Sequence, residues 1–159
     1  MKKIVITGAL GYIGTELCKL YSGFSWKYEV IAIDNRFISE RVNELKRRKI
    51  KFVQADILNL DEIKSYIKEA KVVHHLAGIT NVAYVKKESN PSQDENIKKV
   101  AIEGTENVLK SMNDNATIVF PSTHVVFEGL KKPKKNVDEN EKTSTFLAYS
   151  SSKVVNENQ

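Results

Sequence analysis

Tyr149 and Lys153 stand four residues apart in the run Tyr149-Ser150-Ser151-Ser152-Lys153. On a helix that spacing puts both side chains on one face, one turn apart. A fixed ammonium beside a phenol favours the phenolate, and so makes an acid–base group of a side chain whose free pKa is about 10. Far upstream, Gly8, Gly11 and Gly14 punctuate the run Thr7-Gly8-Ala9-Leu10-Gly11-Tyr12-Ile13-Gly14. Glycines at a strand-to-helix junction let the backbone turn tightly and approach a pyrophosphate on the helix N-terminus. Their spacing is Gly-x-x-Gly-x-x-Gly rather than Gly-x-Gly-x-x-Gly. Taken alone, three glycines also suit a tight turn that binds nothing. A lone Tyr-x-x-x-Lys is likewise usually an exposed pair on an amphipathic helix. Together in one chain, the two features point to hydride chemistry.

Two further positions belong with them. Asp34 ends an apolar run 20 residues after Gly14, where a carboxylate accepts hydrogen bonds from the adenosine ribose hydroxyls. It would repel a 2′-phosphate, so NAD is favoured over NADP, and Arg36 close behind softens that preference. The plainer role for Asp34 is a turn or cap residue. Thr123 follows another apolar run and has a hydroxyl suited to donate to a substrate oxygen, although a Ser122-Thr123 pair also suits a turn. His124 beside it reads as structural.

These residues need a scaffold. Short Val/Ile-rich runs at Lys3–Thr7, Glu29–Ile33, Lys51–Gln54, Lys71–Leu76 and Ala116–Pro121 predict five strands. Between them, helical patterns run over Tyr12–Ser22, Ser39–Arg48, Asp61–Ala70 and from Pro91 to about Met112. A last helix carries Tyr149 and Lys153. Alternating strands and helices predict an α/β fold, a doubly wound parallel sheet with helices on both faces. Its ligand is expected at the carboxyl ends of the strands.

Composition narrows the class. The chain has 159 residues, 41% hydrophobic and 28% charged, as expected of one globular domain with a core. The net charge is +5 and the pI about 9.2. The densest basic run, Lys131-Lys132-Pro133-Lys134-Lys135, contains no aromatic residue, so it reads as a solvated loop and not as a nucleic-acid surface. Cys18 is the only cysteine, which excludes an internal disulfide, suits a reducing cytoplasm and leaves no metal-ligand set based on thiolates. No apolar run reaches membrane-spanning length, and glycines interrupt the apolar start, so neither a membrane partner nor a signal peptide is expected.

Taken in order, Thr7-Gly8-x-x-Gly11-Tyr12-Ile13-Gly14, Asp34-Asn35, Asp56-Ile57, His75-Leu76-Ala77-Gly78, Gly104-Thr105, Ser122-Thr123 and Tyr149-x-x-x-Lys153 resemble the N-terminal part of the extended short-chain dehydrogenase/reductase family. This is the Rossmann-type group of nucleotide-sugar epimerases, dehydratases and reductases. The resemblance implies that Tyr12 and Ile13 line the pyrophosphate and that Asp34, Asn35 and Arg36 lie at the adenosine ribose. It places Asp56 and Ile57 at the adenine, and Leu76, Ala77, Gly78 and Thr80 in the inner cofactor pocket. Thr123, Tyr149 and Lys153 become the catalytic set, with Lys153 also holding the nicotinamide ribose. The implied partner is a nucleotide-sugar, and the full-length form is expected to be a homodimer.

Two positions depart from the family pattern. Ala101 stands where the family usually has Asn, and Asn96, five residues earlier, lies about 140° around a helix and does not replace it. After Thr123 comes His124-Val125 in place of the Asp-Glu pair of the 4,6-dehydratases. Val126-Phe127-Glu128-Gly129 looks like the reductase branch, whereas Gly11-Tyr12-Ile13-Gly14 and Asp34-Asn35 look more like the 4-epimerases. The expected function is an NAD-dependent 4-epimerase. The alternatives are a keto-sugar-nucleotide reductase and a cofactor-binding fragment without catalysis. Residues 1–159 are expected to be an incomplete dinucleotide-binding domain of a longer enzyme, whose substrate-binding part lies beyond Gln159.

Overall fold

Ile4, Val5 and Ile6 sit at the middle of a parallel sheet, all but inaccessible to water. They belong to β1 (Lys2–Thr7), which pairs with β2 (Tyr28–Asp34) on one side and β4 (Val72–His75) on the other. β3 (Lys51–Gln54) pairs with β2, and β5 (Thr117–Val119) with β4, giving the order β3-β2-β1-β4-β5. The computed structural model describes residues 1–80, 88–132 and 134–159. The chain divides into two units, Met1–Gly78 with Gly104–Pro121, and Ile79–Glu103 with Ser122–Gln159.

The first unit holds the sheet. α1 (Tyr12–Ser22) and α2 (Ser39–Arg47) connect β1 to β2 and β2 to β3. α3 (Leu60–Ile67) and α4 (Pro91–Ser111) follow β3 and β4, and the division between units falls within α4. With right-handed crossovers, this order puts α1 and α2 on one face and α3 with the second half of α4 on the other. Strand side chains therefore alternate between two cores. Ile4, Ile6, Val30 and Ala32 join Leu10, Cys18, Val42 and Leu45 in one cluster. Val5, Ile31, Ile33, Ile63, Ile67 and Val73 are buried as well. Each such aliphatic side chain contributes about 1.5–3 kcal/mol by leaving water.

Local sequence sets the helix ends. α1 starts after Gly11 and is closed by Gly23. α2 ends in a turn where Lys49 takes a left-handed φ of 58°, a position that usually favours glycine. α3 carries Asp61 and Glu62 in its first turn, which suits the helix dipole, and buries Ile63 and Ile67 four residues apart. It stops at Ile67, short of the predicted Ala70, because the last turn tightens: Ala70 N–H donates to Ile67 O at 2.8 Å. β5 is also shorter than predicted. Its pairing with β4 ends at Val119, two residues before Pro121, which has no N–H to continue a ladder.

The second unit holds the first half of α4, a 3-10 turn (His124–Phe127) and α5 (Ala148–Glu157). Asn156 Nδ2 of α5 donates to Ala101 O of α4 at 3.1 Å. In the basic run, Lys131, Lys132, Lys134 and Lys135 are exposed, and Lys134 pairs with Glu141. Pro133 lies outside the described residues.

Candidate functional site

The strand order reverses between β1 and β4, the place where a doubly wound sheet opens a crevice at its carboxyl edge. Gly8 leaves β1 with φ +67°, and a Cβ there would lie 2.7 Å from Ala77 N and from Leu76 C. Only glycine lets the two strand ends approach so closely. Gly11 N–H donates to Gly8 O at 2.9 Å, closing the turn. A Cβ on Gly14 would lie 2.5 Å from Gly8 O, so α1 packs directly on the turn it follows. No side chain caps α1 at Gly11, and Tyr12 and Ile13 in its first turn are exposed. Gly78, beyond β4, faces open space. Leu76 and Ala77 are half-buried beside it.

Asp34, at the end of β2, is 4% exposed and saturated with donors. Leu10 N–H reaches Oδ2 at 2.9 Å, so the carboxylate pins the glycine turn. Arg36 donates Nε to Oδ1 at 2.9 Å and Nη2 to Oδ2 at 3.1 Å, and its own N–H reaches Oδ1 at 3.1 Å. This carboxylate contact pushes the Arg36 pKa up further. Arg41 also donates to Leu10 O, an anchor of the turn that sequence reasoning missed. A charged residue on an amphipathic helix carries no signal for that role.

Asn35 and Asp56 meet at the neighbouring strand end, with Asn35 Nδ2 donating to Asp56 Oδ2 at 3.3 Å. Gln54 Nε2 donates to Asn35 O at 3.2 Å, and Glu62 accepts from Asp56 N–H at 3.0 Å. These four side chains and Ala55 line a cavity of about 260 Å³. Gln54 and Glu62 were not singled out from sequence. Ile57 instead faces the core: a Cβ on Gly104 would lie 2.4 Å from its Cδ1, and Asn107 Nδ2 donates to its carbonyl at 3.0 Å. The Gly104-Thr105 motif thus acquires a packing reason. Thr105 Oγ1 lies 3.0 Å from His75 Nε2, His75 Nδ1 lies 2.7 Å from Thr7 Oγ1, and Thr7 Oγ1 accepts from Ala77 N–H at 3.3 Å. This buried chain ties α4, β4 and β1 together under the crevice floor.

The second unit carries Thr80, exposed, and the three expected catalytic residues. Thr123 caps the 3-10 turn, its Oγ1 accepting from Val125 N–H at 3.2 Å. The turn role and a donating hydroxyl are compatible, because the cap uses the oxygen lone pair and leaves the proton. Tyr149 and Lys153 share one face of α5, with Nζ 5.7 Å from the ring centroid. Burial pushes the Tyr149 pKa up. Burial also pushes Lys153 down, and Glu157 opposes that shift. In the protein alone, then, desolvation dominates at Tyr149 over the depression expected from the ammonium. His124 is exposed at the start of the turn.

Glu128 is the residue sequence reasoning undervalued. Its Oε1 accepts from Phe146 N–H at 3.0 Å and Leu147 N–H at 2.9 Å, and from the Ser150 hydroxyl. Oε2 is buried with no hydrogen-bond partner. A carboxylate at this end of α5 holds the first turn of the helix that bears Tyr149 and Lys153.

A sequence model of the 3-beta hydroxysteroid dehydrogenase/isomerase family matches residues 5–159. An uncharacterized membrane protein of Methanocaldococcus jannaschii is 32% identical over 120 residues, which are 75% of this chain and 34% of that protein. An uncharacterized UDP-glucose epimerase of Bacillus subtilis is 30% identical over 167 residues, 98% of this chain and 49% of that one. Among solved structures, a variant UDP-glucuronic acid 4-epimerase from Bacillus cereus, in complex with UDP-4-deoxy-4-fluoro-glucuronic acid and NAD, superimposes with a TM-score of 0.79. It is 25% identical, and the match covers 98% of this chain and 50% of that structure. The chain spans half or less of each of these proteins.

Proposed function

The chain belongs to the 3-beta hydroxysteroid dehydrogenase/isomerase family, within the extended short-chain dehydrogenases, and on that premise we propose that it forms the NAD-binding and acid–base part of a nucleotide-sugar 4-epimerase. The observation that carries this reading is the Tyr149/Lys153 pair on one face of α5, with the ammonium 5.7 Å from the phenol ring.

The residues present fit a dinucleotide. The Gly8–Gly14 turn, the uncapped start of α1 and the open space at Gly78 leave backbone available to a pyrophosphate. Asp34 would accept from the adenosine ribose once the Arg36 guanidinium moves aside, and Asn35 and Asp56, which border the neighbouring cavity, would meet the adenine. Bound NAD supplies a hydride acceptor and donor at its nicotinamide ring. Tyr149 takes the proton of the C4 hydroxyl and later restores it to the same oxygen, once the sugar has turned its other face to the hydride donor. Thr123 donates its hydroxyl proton to the same oxygen. Lys153 stabilises the phenolate against the upward pull of burial and binds the nicotinamide ribose. Moving the phenol from about 10 to near 7 takes roughly 4 kcal/mol of differential stabilisation, within reach of an ammonium and a cationic ring that are partly desolvated.

The test is epimerisation of UDP-sugars at C4, followed by NMR, with absorbance of NADH monitored in parallel. Conversion without net NADH supports the epimerase; inactivity of the full-length protein on all common nucleotide-sugars overturns it. A second reading, a keto-sugar-nucleotide reductase, is favoured by the Val126-Phe127-Glu128-Gly129 stretch. Stoichiometric consumption of added NADH would select it.

A further inference from the structure

At the amino ends of β1, β2 and β3, opposite the crevice, three segments distant in sequence come together. Met1, the α1–β2 connection and the α2–β3 turn line one cavity of about 260 Å³. Lys2 N–H donates to Lys27 O at 3.0 Å, and Arg48 Nη1 donates to Ser22 Oγ at 3.4 Å, which holds the segments in place. Two features belong to the segments that line the cavity or to their immediate chain neighbours. The first is apolar: Trp26 is 75% exposed, Leu20 60% and Phe24 46%. All three lie within one short stretch at the end of α1 and in the connection after it. The second is cationic: Lys27, Arg47, Arg48, Lys49 and Lys51 lie in or next to the lining segments, with the carboxylates of Glu29 and Glu44 among them. Glu44 is already shared by Arg47 and Arg48.

Arg48 lines the cavity, and its Nε is buried without a hydrogen-bond partner. Such an unmet donor on a guanidinium is costly unless an acceptor arrives. Lys49 also lines the cavity, from a left-handed backbone position. The Ser25 hydroxyl joins them in the wall, which Ser22, donating to Lys19 O at 2.7 Å, and Glu29 complete.

We propose that this end of the first unit docks on an anionic phospholipid surface, with one headgroup phosphate in the Arg48/Lys49 cavity and Trp26 and Phe24 in the interfacial layer. The charge sign selects the occupant, because a cationic rim around exposed aromatic and aliphatic side chains is the pattern that binds anionic bilayers. The aliphatic Leu20 among the exposed apolar side chains favours lipid over nucleic acid, since an aliphatic chain offers a base no stacking face. The lack of a spanning helix among the described residues is no obstacle, since an interfacial contact needs none.

Co-sedimentation with vesicles of phosphatidylcholine, with and without phosphatidylglycerol, tests the proposal. The protein is expected to pellet with the mixed vesicles and to stay in solution with phosphatidylcholine alone. Trp26, the only tryptophan of the chain, is expected to shift its emission to the blue as it leaves water. Lys27→Glu combined with Lys49→Glu should weaken binding to mixed vesicles by roughly tenfold or more. Both residues are exposed, so the thermal midpoint should hold. Equal binding to both vesicle types, or none, overturns the proposal. So does a blue shift that grows with protein concentration without vesicles, which assigns the patch to a second copy. Tighter capture by a single-stranded oligonucleotide assigns it to nucleic acid. Full competition by inorganic phosphate with no vesicle binding assigns the cavity to a free anion.

Discussion

Arg36 grips Asp34 through both carboxylate oxygens, Nε to Oδ1 at 2.9 Å and Nη2 to Oδ2 at 3.1 Å, while Asp34 also holds Leu10 N–H at 2.9 Å. One carboxylate therefore serves the glycine turn and an ion pair at once, and on the proposed function a ribose diol would compete with the guanidinium. Arg36 is 54% exposed on its side chain, so that competition is a modest one. Arg36→Ala is expected to tighten NAD binding by roughly twofold to fivefold, the range of a half-exposed ion pair. The same change should weaken NADP binding, since it removes a cation beside the proposed ribose site. Calorimetric titration with both cofactors decides it, and weaker NAD binding by the variant would refute the assignment.

Tyr149→Phe is expected to reduce turnover of the full-length enzyme by about 10²–10⁴-fold, the usual worth of a positioned general base. Burial raises the Tyr149 pKa, and in the proposed mechanism Lys153 is the group that offsets it. Lys153→Met should move the rising limb of the pH–rate profile to higher pH as well as lowering the rate. An unshifted limb would mean that Lys153 only binds.

Glu128→Ala removes the acceptor of Phe146 and Leu147 N–H and of the Ser150 hydroxyl. Leaving those donors unmet is expected to cost about 1–3 kcal/mol. The first turn of α5 should open more often, read as faster amide exchange at Phe146 and Leu147. Unchanged exchange there would show that water replaces the carboxylate without loss.

Gly8→Ala meets two obstacles, a φ of +67° and backbone atoms 2.7 Å from the new Cβ. The left-handed conformation alone costs about 1–2 kcal/mol, and the contact adds to it. Gly23→Ala serves as the control, with an ordinary φ of −68° and Leu20 O 3.4 Å from the new Cβ. Urea denaturation should separate the two clearly; equal midpoints would contradict the close approach of β1 and β4.

Cys18 is fully buried, and desolvation pushes its pKa from the ordinary 9.0 up to about 12. The folded thiol stays protonated where the unfolded one ionises. Stability from this group is thus intact below pH 9 and is lost as pH rises towards 12, by about 1.4 kcal/mol per unit. Denaturation at pH 8, 9 and 10 should show this extra slope relative to Cys18→Ala, and identical slopes would disprove it.

Much of the scaffold was legible because its signals are local. The glycine turn, the Val/Ile strands and the i, i+4 pair Ile63 and Ile67 each follow from neighbours a few residues away. The boundaries of α3 and β5 were misjudged because the tightened last turn at Ala70 and the end of the ladder with β4 depend on hydrogen bonds, which composition does not encode. Ile57 illustrates the same limit: a residue in a recognisable motif is packed against Gly104, 47 positions later in the chain.

The sequence by itself determined the order of strands and helices, the turn that only glycine can make and the Tyr149/Lys153 face, because backbone sterics and helical periodicity act over a turn or two. Only the tertiary structure decided that Arg36 occupies Asp34, that Arg41 and Glu128 anchor the turn and helix carrying the expected site residues, and that Ser25 and Lys49 line one cavity. Side-chain hydrogen bonds, ion pairs and surface patches join segments that the fold brings together, and their energies depend on distances that no linear spacing contains.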